Sequence, residues 1–78
     1  MPTVLRSGPY RLFFYAGDQE EPPHVHIERD DCGAKFWLDP VRLEWSVGFR
    51  AKEIKKLERL VAENQQYLLE RWNEFFNG

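Results

Sequence analysis

The stretch His24-Val25-His26-Ile27-Glu28-Arg29-Asp30-Asp31-Cys32-Gly33-Ala34-Lys35-Phe36-Trp37-Leu38 decides the fold. An alternating run leads into a polar turn, and a second alternating run leaves it. A strand places successive side chains on opposite faces. His24, His26 and Glu28 therefore share one face, and Val25 and Ile27 the other. In the second run Lys35 and Trp37 share a face, opposite Ala34, Phe36 and Leu38. The spacing predicts a hairpin of strands 24–29 and 34–38 across a turn at residues 31–33. One of its faces is apolar. The other carries two imidazoles, a carboxylate, an ammonium group and an indole.

The same grammar extends outward. Ser7-Gly8-Pro9, the acidic loop from Gly17 to Pro23, and Asp39-Pro40 punctuate the first half of the chain. Between them, residues 3–6, 10–16 and 42–46 have the length and the aromatic or β-branched content of strands. After Gly48 the pattern changes. Residues 50–76 contain neither Gly nor Pro, and Ile54, Leu57, Val61, Leu68, Trp72 and Phe75 fall on one helical stripe. Only Asn64 interrupts it, as a core hydrogen-bonding residue or as the point where the helix leaves the sheet. The expected fold is α+β: a small antiparallel sheet of consecutive hairpins, four to five strands, packed against one long C-terminal helix. All of it belongs to a single domain over residues 1–78, with the sheet in 1–48 and the helix in 50–76. The expected core joins Val25, Ile27, Phe36, Leu38, Leu43 and Trp45 to Ile54, Leu57, Val61 and Leu68.

Composition narrows the function. With 78 residues, 11 Lys+Arg against 13 Asp+Glu, 2 His and 1 Cys, the chain has a thin core and no intrachain disulfide. A net charge of −2 argues against non-specific nucleic-acid binding, which rests on phosphate neutralisation. The longest apolar run, Leu12 to Ala16, is five residues, where a membrane span needs about 20. The opening MPTVLRSG lacks the apolar segment of a signal peptide. A reduced, cytoplasmic location is expected, with no membrane partner.

Both histidines lie on the polar face of the hairpin. His24 and His26 are the candidate catalytic pair, able to serve as general base and acid around one substrate atom. The same alternation also fits an ordinary solvent-facing strand. A metal needs a third ligand, and Glu28 sits at the far end of the face, so no metal or other cofactor is expected. Lys35 and Trp37 beside the histidines could hold a phosphate and stack a base. Alternatively Trp37, with Phe13 and Tyr15, simply covers the sheet's second face. Around the helix start Arg50, Lys52, Lys55, Lys56 and Arg59 outnumber Glu53 and Glu58, against the preference of the helix dipole. Either an anionic partner binds there, or the charges form a solvated face with compensating pairs. A helix of residues 50–76 would be roughly 40 Å long, longer than the sheet is wide. Its overhanging end would expose Leu69, Trp72, Phe75 and Phe76 as an interface, unless the first strand or the 17–23 loop covers it. Cys32 and the serines have no catalytic surroundings.

MPTVLRSGPYRLFFYAGD, PPHVHIERDD, AKFWLDPVRLEWSVGF and the closing helix together resemble a small prokaryotic family, domain of unknown function 4160. The resemblance covers essentially the whole chain, and the Pro-Pro-His-x-His stretch followed by AKFWL is its most specific part. In that family a Ser or Asn cap often follows the Gly-Phe before the helix, where this chain has Arg50. Family members are often encoded beside a second small protein, in toxin–antitoxin-like pairs. The resemblance implies a cytoplasmic partner-binding protein, one component of a two-gene regulatory module, with a nearby-encoded small protein or a second copy as partner. It supplies no reaction. The alternative from the residues themselves is a metal-independent ribonuclease or phosphodiesterase using His24 and His26. In that reading Lys35 or the basic helix start would stabilise the phosphorane charge.

Overall fold

The computed structural model describes residues 3–77. Five strands form one antiparallel meander in chain order: β1 (Thr3–Ser7), β2 (Tyr10–Phe13), β3 (His24–Arg29), β4 (Cys32–Leu38) and β5 (Val41–Val47). Two helices follow, α1 (Ala51–Glu63) and α2 (Gln65–Asn77). The α+β expectation holds: one face of the sheet packs on the helices. The central hairpin pairs His24 with Trp37, Val25 with Phe36, His26 with Lys35 and Ile27 with Ala34. Its turn is tighter than expected. Arg29 pairs with Cys32, which leaves only Asp30 and Asp31 between the strands, Asp30 with a φ of 53°. An Asp tolerates this left-handed conformation better than most residues.

The core lies where the alternation places it. Val25, Ile27, Phe36 and Leu38 are fully buried against Leu57, Val61 and Leu68, with Leu12 and Phe14 from the β2 side. Leu43 and Ile54 pack at the margin of this cluster, partly buried. Trp45 does not join it. The β4–β5 ladder shifts register after Lys35, so that Lys35 pairs with Trp45 while Phe36 pairs with Leu43. This irregularity absorbs Glu44 and turns Trp45 to the opposite face, where it is 45% exposed.

The long helix is two helices. Asn64, with φ −112° and ψ 15°, ends α1, and its Nδ2 donates to the Leu60 carbonyl at 2.9 Å. A side chain that bonds its own backbone competes with the helical ladder. Gln65 then donates from Nε2 to the Leu38 carbonyl at 2.7 Å, pinning the junction to the end of β4. Each 13-residue helix spans about 20 Å at 1.5 Å per residue, and α2 buries Leu68 and Trp72 in the core. The overhang argued from a single roughly 40 Å rod therefore does not arise. At the start of α1, Arg50 occupies the N-cap without a side-chain cap bond. Gly48, at φ 87°, makes the turn from β5 into the helix.

Strand β2 also stops early, at Phe13 rather than residue 16. Phe14 is buried against Trp72, and the Tyr15 N–H donates to Asp18 Oδ2 at 2.8 Å. That local bond closes a 3₁₀ segment, Ala16–Glu20, in place of further ladder. No described helix is long and apolar enough to cross a membrane.

Candidate functional site

His24, His26 and Glu28 share one face of β3, as the alternation requires, and Lys35 and Trp37 stand beside them on β4. The face is covered rather than open. His24 is 1% exposed and His26 8%. Two features close it. The segment 14–23 folds over the histidines, and aromatic side chains fill the remaining space. The Phe13 ring stacks on His26 with centroids 5.5 Å apart, and Tyr15 meets the same imidazole edge-on at 4.6 Å. Trp37 and, from α2, Trp72 flank His24 at 5.6 and 5.2 Å. The expectation that aromatics cover this second face is thus met, and the expectation of accessible histidines is corrected.

Asp18 organises the centre. Its Oδ2 lies 3.2 Å from His24 Nε2 and 3.2 Å from His26 Nε2. One ligand-type atom from each of Asp18, His24 and His26 falls within 4.8 Å of the other two. His24 Nδ1 is 2.8 Å from the Pro22 carbonyl. Because a carbonyl only accepts, Nδ1 carries the hydrogen. Burial pushes the His26 pKa down, with the Asp18 charge opposing. The third member of the cluster is therefore Asp18 and not Glu28. Glu28 turns to Arg11, whose Nη1 is 2.6 Å away. Asp18 escaped the sequence reading because it belongs to no strand. The available signal was its place three residues after Tyr15 in a short loop that Pro22-Pro23 returns directly to His24.

Lys35 and Trp37 also have local engagements. Lys35 pairs with Glu21 of the covering segment and sits over the Trp37 ring, 4.7 Å from its centroid. The Lys35 ammonium holds the Glu21 carboxyl below its usual pKa. Trp37 Nε1 donates to Glu44 at 3.0 Å. The covering segment is therefore latched at Asp18 and again at Glu21. An open groove of about 350 Å³, lined by Phe13, Tyr15, His26 and Trp45 among others, reaches His26 but neither Asp18 nor His24.

The other candidate groups lie elsewhere. Arg50, Lys52, Lys55 and Lys56 are all exposed on the helical layer, across the sheet from the histidines. What the helix start does hold is a polar clamp absent from the sequence reading. Glu53 accepts from Arg29 Nε at 2.9 Å, from Arg29 Nη2 at 3.0 Å and from the Tyr10 hydroxyl at 2.6 Å. It ties α1 to β2 and β3. Of the expected interface residues, Trp72 is 5% exposed and packs on Phe14, while Leu69 and Phe76 are half-buried against the core. Only Phe75 is substantially exposed. That end of the helix is covered within the monomer.

The family model for a domain of unknown function, DUF4160, matches residues 10–73. The chain belongs to this family. The match runs from the first residue of β2 into the last turns of α2, and so takes in Asp18, both histidines and the helix junction. Among curated proteins and solved structures none matches the chain. The family assigns no reaction to the cluster, so its chemistry has to be read from its geometry.

Proposed function

We propose that this member of the DUF4160 family is a cytoplasmic partner-binding protein. It would act as one component of a two-gene regulatory pair of the toxin–antitoxin kind and dock a second small protein through the helix-free face and free edge of its sheet. One observation carries the reading. Tyr15, Trp45 and Val47 are 42%, 45% and 62% exposed, and Trp45 and Val47 belong to β5, an edge strand paired only with β4. An edge strand presents unpaired N–H and C=O groups to any chain that can add a strand. Large aromatic side chains beside such an edge are the kind that anchor interfaces. The cation-rich helix start lies on the other layer and takes no part.

The test is co-expression with the small protein encoded beside it, followed by co-purification and light scattering. The proposal expects a stable heteromer that Trp45→Arg dissolves and Trp45→Phe retains. A heteromer indifferent to Trp45→Arg, or a homodimer that ignores the neighbouring product, overturns it.

The phosphodiesterase reading retains one favourable observation, the groove that borders His26. Against it stands His24, sealed from that groove and aimed at Asp18. Growth arrest on expression that His24→Ala together with His26→Ala abolishes, with the fold intact, favours the enzyme. Arrest that survives the double change favours binding.

A further inference from the structure

We propose that Asp18, His24 and His26 form a binding site for one divalent transition-metal ion of the zinc type, ligated through Asp18 Oδ2 and the two Nε2 atoms. The argument begins at His24. Its Nδ1–H is spent on the Pro22 carbonyl at 2.8 Å, which leaves Nε2 as the ring atom available to a ligand. That atom is buried and has no hydrogen-bond partner among the described residues. A buried polar atom without a partner is costly. It points at Asp18 Oδ2, 3.2 Å away, which is another acceptor. His26 Nε2 approaches the same oxygen at the same distance. Three ligand-type atoms thus converge: His26 Nε2 is hydrogen-bonded to Asp18 Oδ2, and His24 Nε2 is left unsatisfied by protein atoms among the described residues. A cation between them resolves this.

The geometry suits such an ion. Zinc bonds to imidazole nitrogen or carboxylate oxygen are about 2.0–2.1 Å, which makes the edge of the coordination tetrahedron about 3.3–3.4 Å. The two Nε2–Oδ2 separations are 3.2 Å. The supports are those that metal-ligating side chains use. A backbone carbonyl fixes the His24 tautomer, and the Tyr15 N–H holds Asp18 Oδ2 at 2.8 Å. Two imidazoles and one carboxylate favour zinc-like ions over calcium or magnesium, which prefer all-oxygen sites. Three protein ligands leave a fourth position for water. The ion would rivet the Ala16–Glu20 segment onto β3.

Tag-free protein, stripped with a chelator and titrated with zinc by calorimetry, should bind one equivalent and unfold at a higher temperature with the metal than without. Asp18→Asn and His26→Gln should each weaken binding by at least the roughly 100-fold that loss of a supporting partner costs. Cys32→Ser should bind as the parent does. A measurement on the unmodified chain makes the test independent of how the variants fold. Zinc should move the imidazole ¹⁵Nε2 resonances of both His24 and His26. Absence of zinc binding by the folded parent, unchanged ¹⁵Nε2 resonances, or one equivalent retained by both folded variants would each overturn the site.

Discussion

Trp45 stands opposite Lys35 in the β4–β5 ladder, one position out of step with the alternation that governs the central β3–β4 hairpin. Without the shift at Glu44 its indole would belong to the core beside Leu43. Instead it lies on the helix-free face, near enough to Gly33 that a Cβ there would come within 3.7 Å of the ring. The register slip thereby converts a core aromatic into a surface one on the free edge strand. Val47, two residues on, is the cleanest probe of that surface because it is 62% exposed. Val47→Lys should change stability by no more than about 0.5 kcal/mol, as surface substitutions usually do, while weakening partner binding. Urea unfolding and co-purification measure the two quantities. A large loss of stability would mean that β5 is packed more tightly than its exposure implies.

Trp72 gives the opposite expectation. It is buried between Phe14, Phe76 and His24. Trp72→Ala should cost about 3–5 kcal/mol and leave association unaffected in whatever fraction remains folded. Equilibrium denaturation and sedimentation of the same sample decide. Unchanged stability with lost association would restore the end of α2 as an interface.

The central hairpin was legible because Val25, Ile27, Phe36 and Leu38 alternate without interruption, so one register buries all four. Trp45 was not, because a single extra residue in an edge strand leaves no mark on composition and reverses the facing of everything beyond it. The apolar stripe of the helix was legible, but the break at Asn64 was not. No Gly or Pro announces it, and the stripe resumes with the same polarity. The histidine face was placed correctly, and its burial was not foreseen. Burial there depends on where a loop travels, and that follows from Asp18 bonding the Tyr15 N–H rather than from any strand or helix period.

The clamp at Glu53 sets an acid dependence. Hydrogen bonding to Arg29, then to Tyr10, holds the Glu53 carboxyl below its usual value of 4.5. A carboxyl depressed in the folded state contributes stability that is complete above the unfolded value and is lost as pH falls through the folded one. Unfolding temperature should therefore decline below about pH 4.5, and Glu53→Gln should flatten part of that decline. Glu21, depressed by Lys35, contributes in the same direction. Thermal scans across the acid range check this. An identical acid profile for Glu53→Gln would show that the clamp has no energetic role.

Gly48 is the position where backbone geometry leaves no alternative. Its φ is 87°, and a Cβ would lie 2.8 Å from Cys32 Sγ. Gly48→Ala should destabilise by about 1–3 kcal/mol, the usual cost of a non-glycine residue held in such a region. A Gly48→Ala variant as stable as the parent in urea would mean that the β5–α1 turn can take another path.

Amide hydrogen exchange of the free protein and of its complex with the neighbouring small protein tests partner binding through the sheet most directly. Binding should slow exchange along Val41–Val47 and around Tyr15, and leave α1 and α2 as they were. Protection confined to the helices, or none on β5 in a complex that is fully formed, would contradict docking at the free edge.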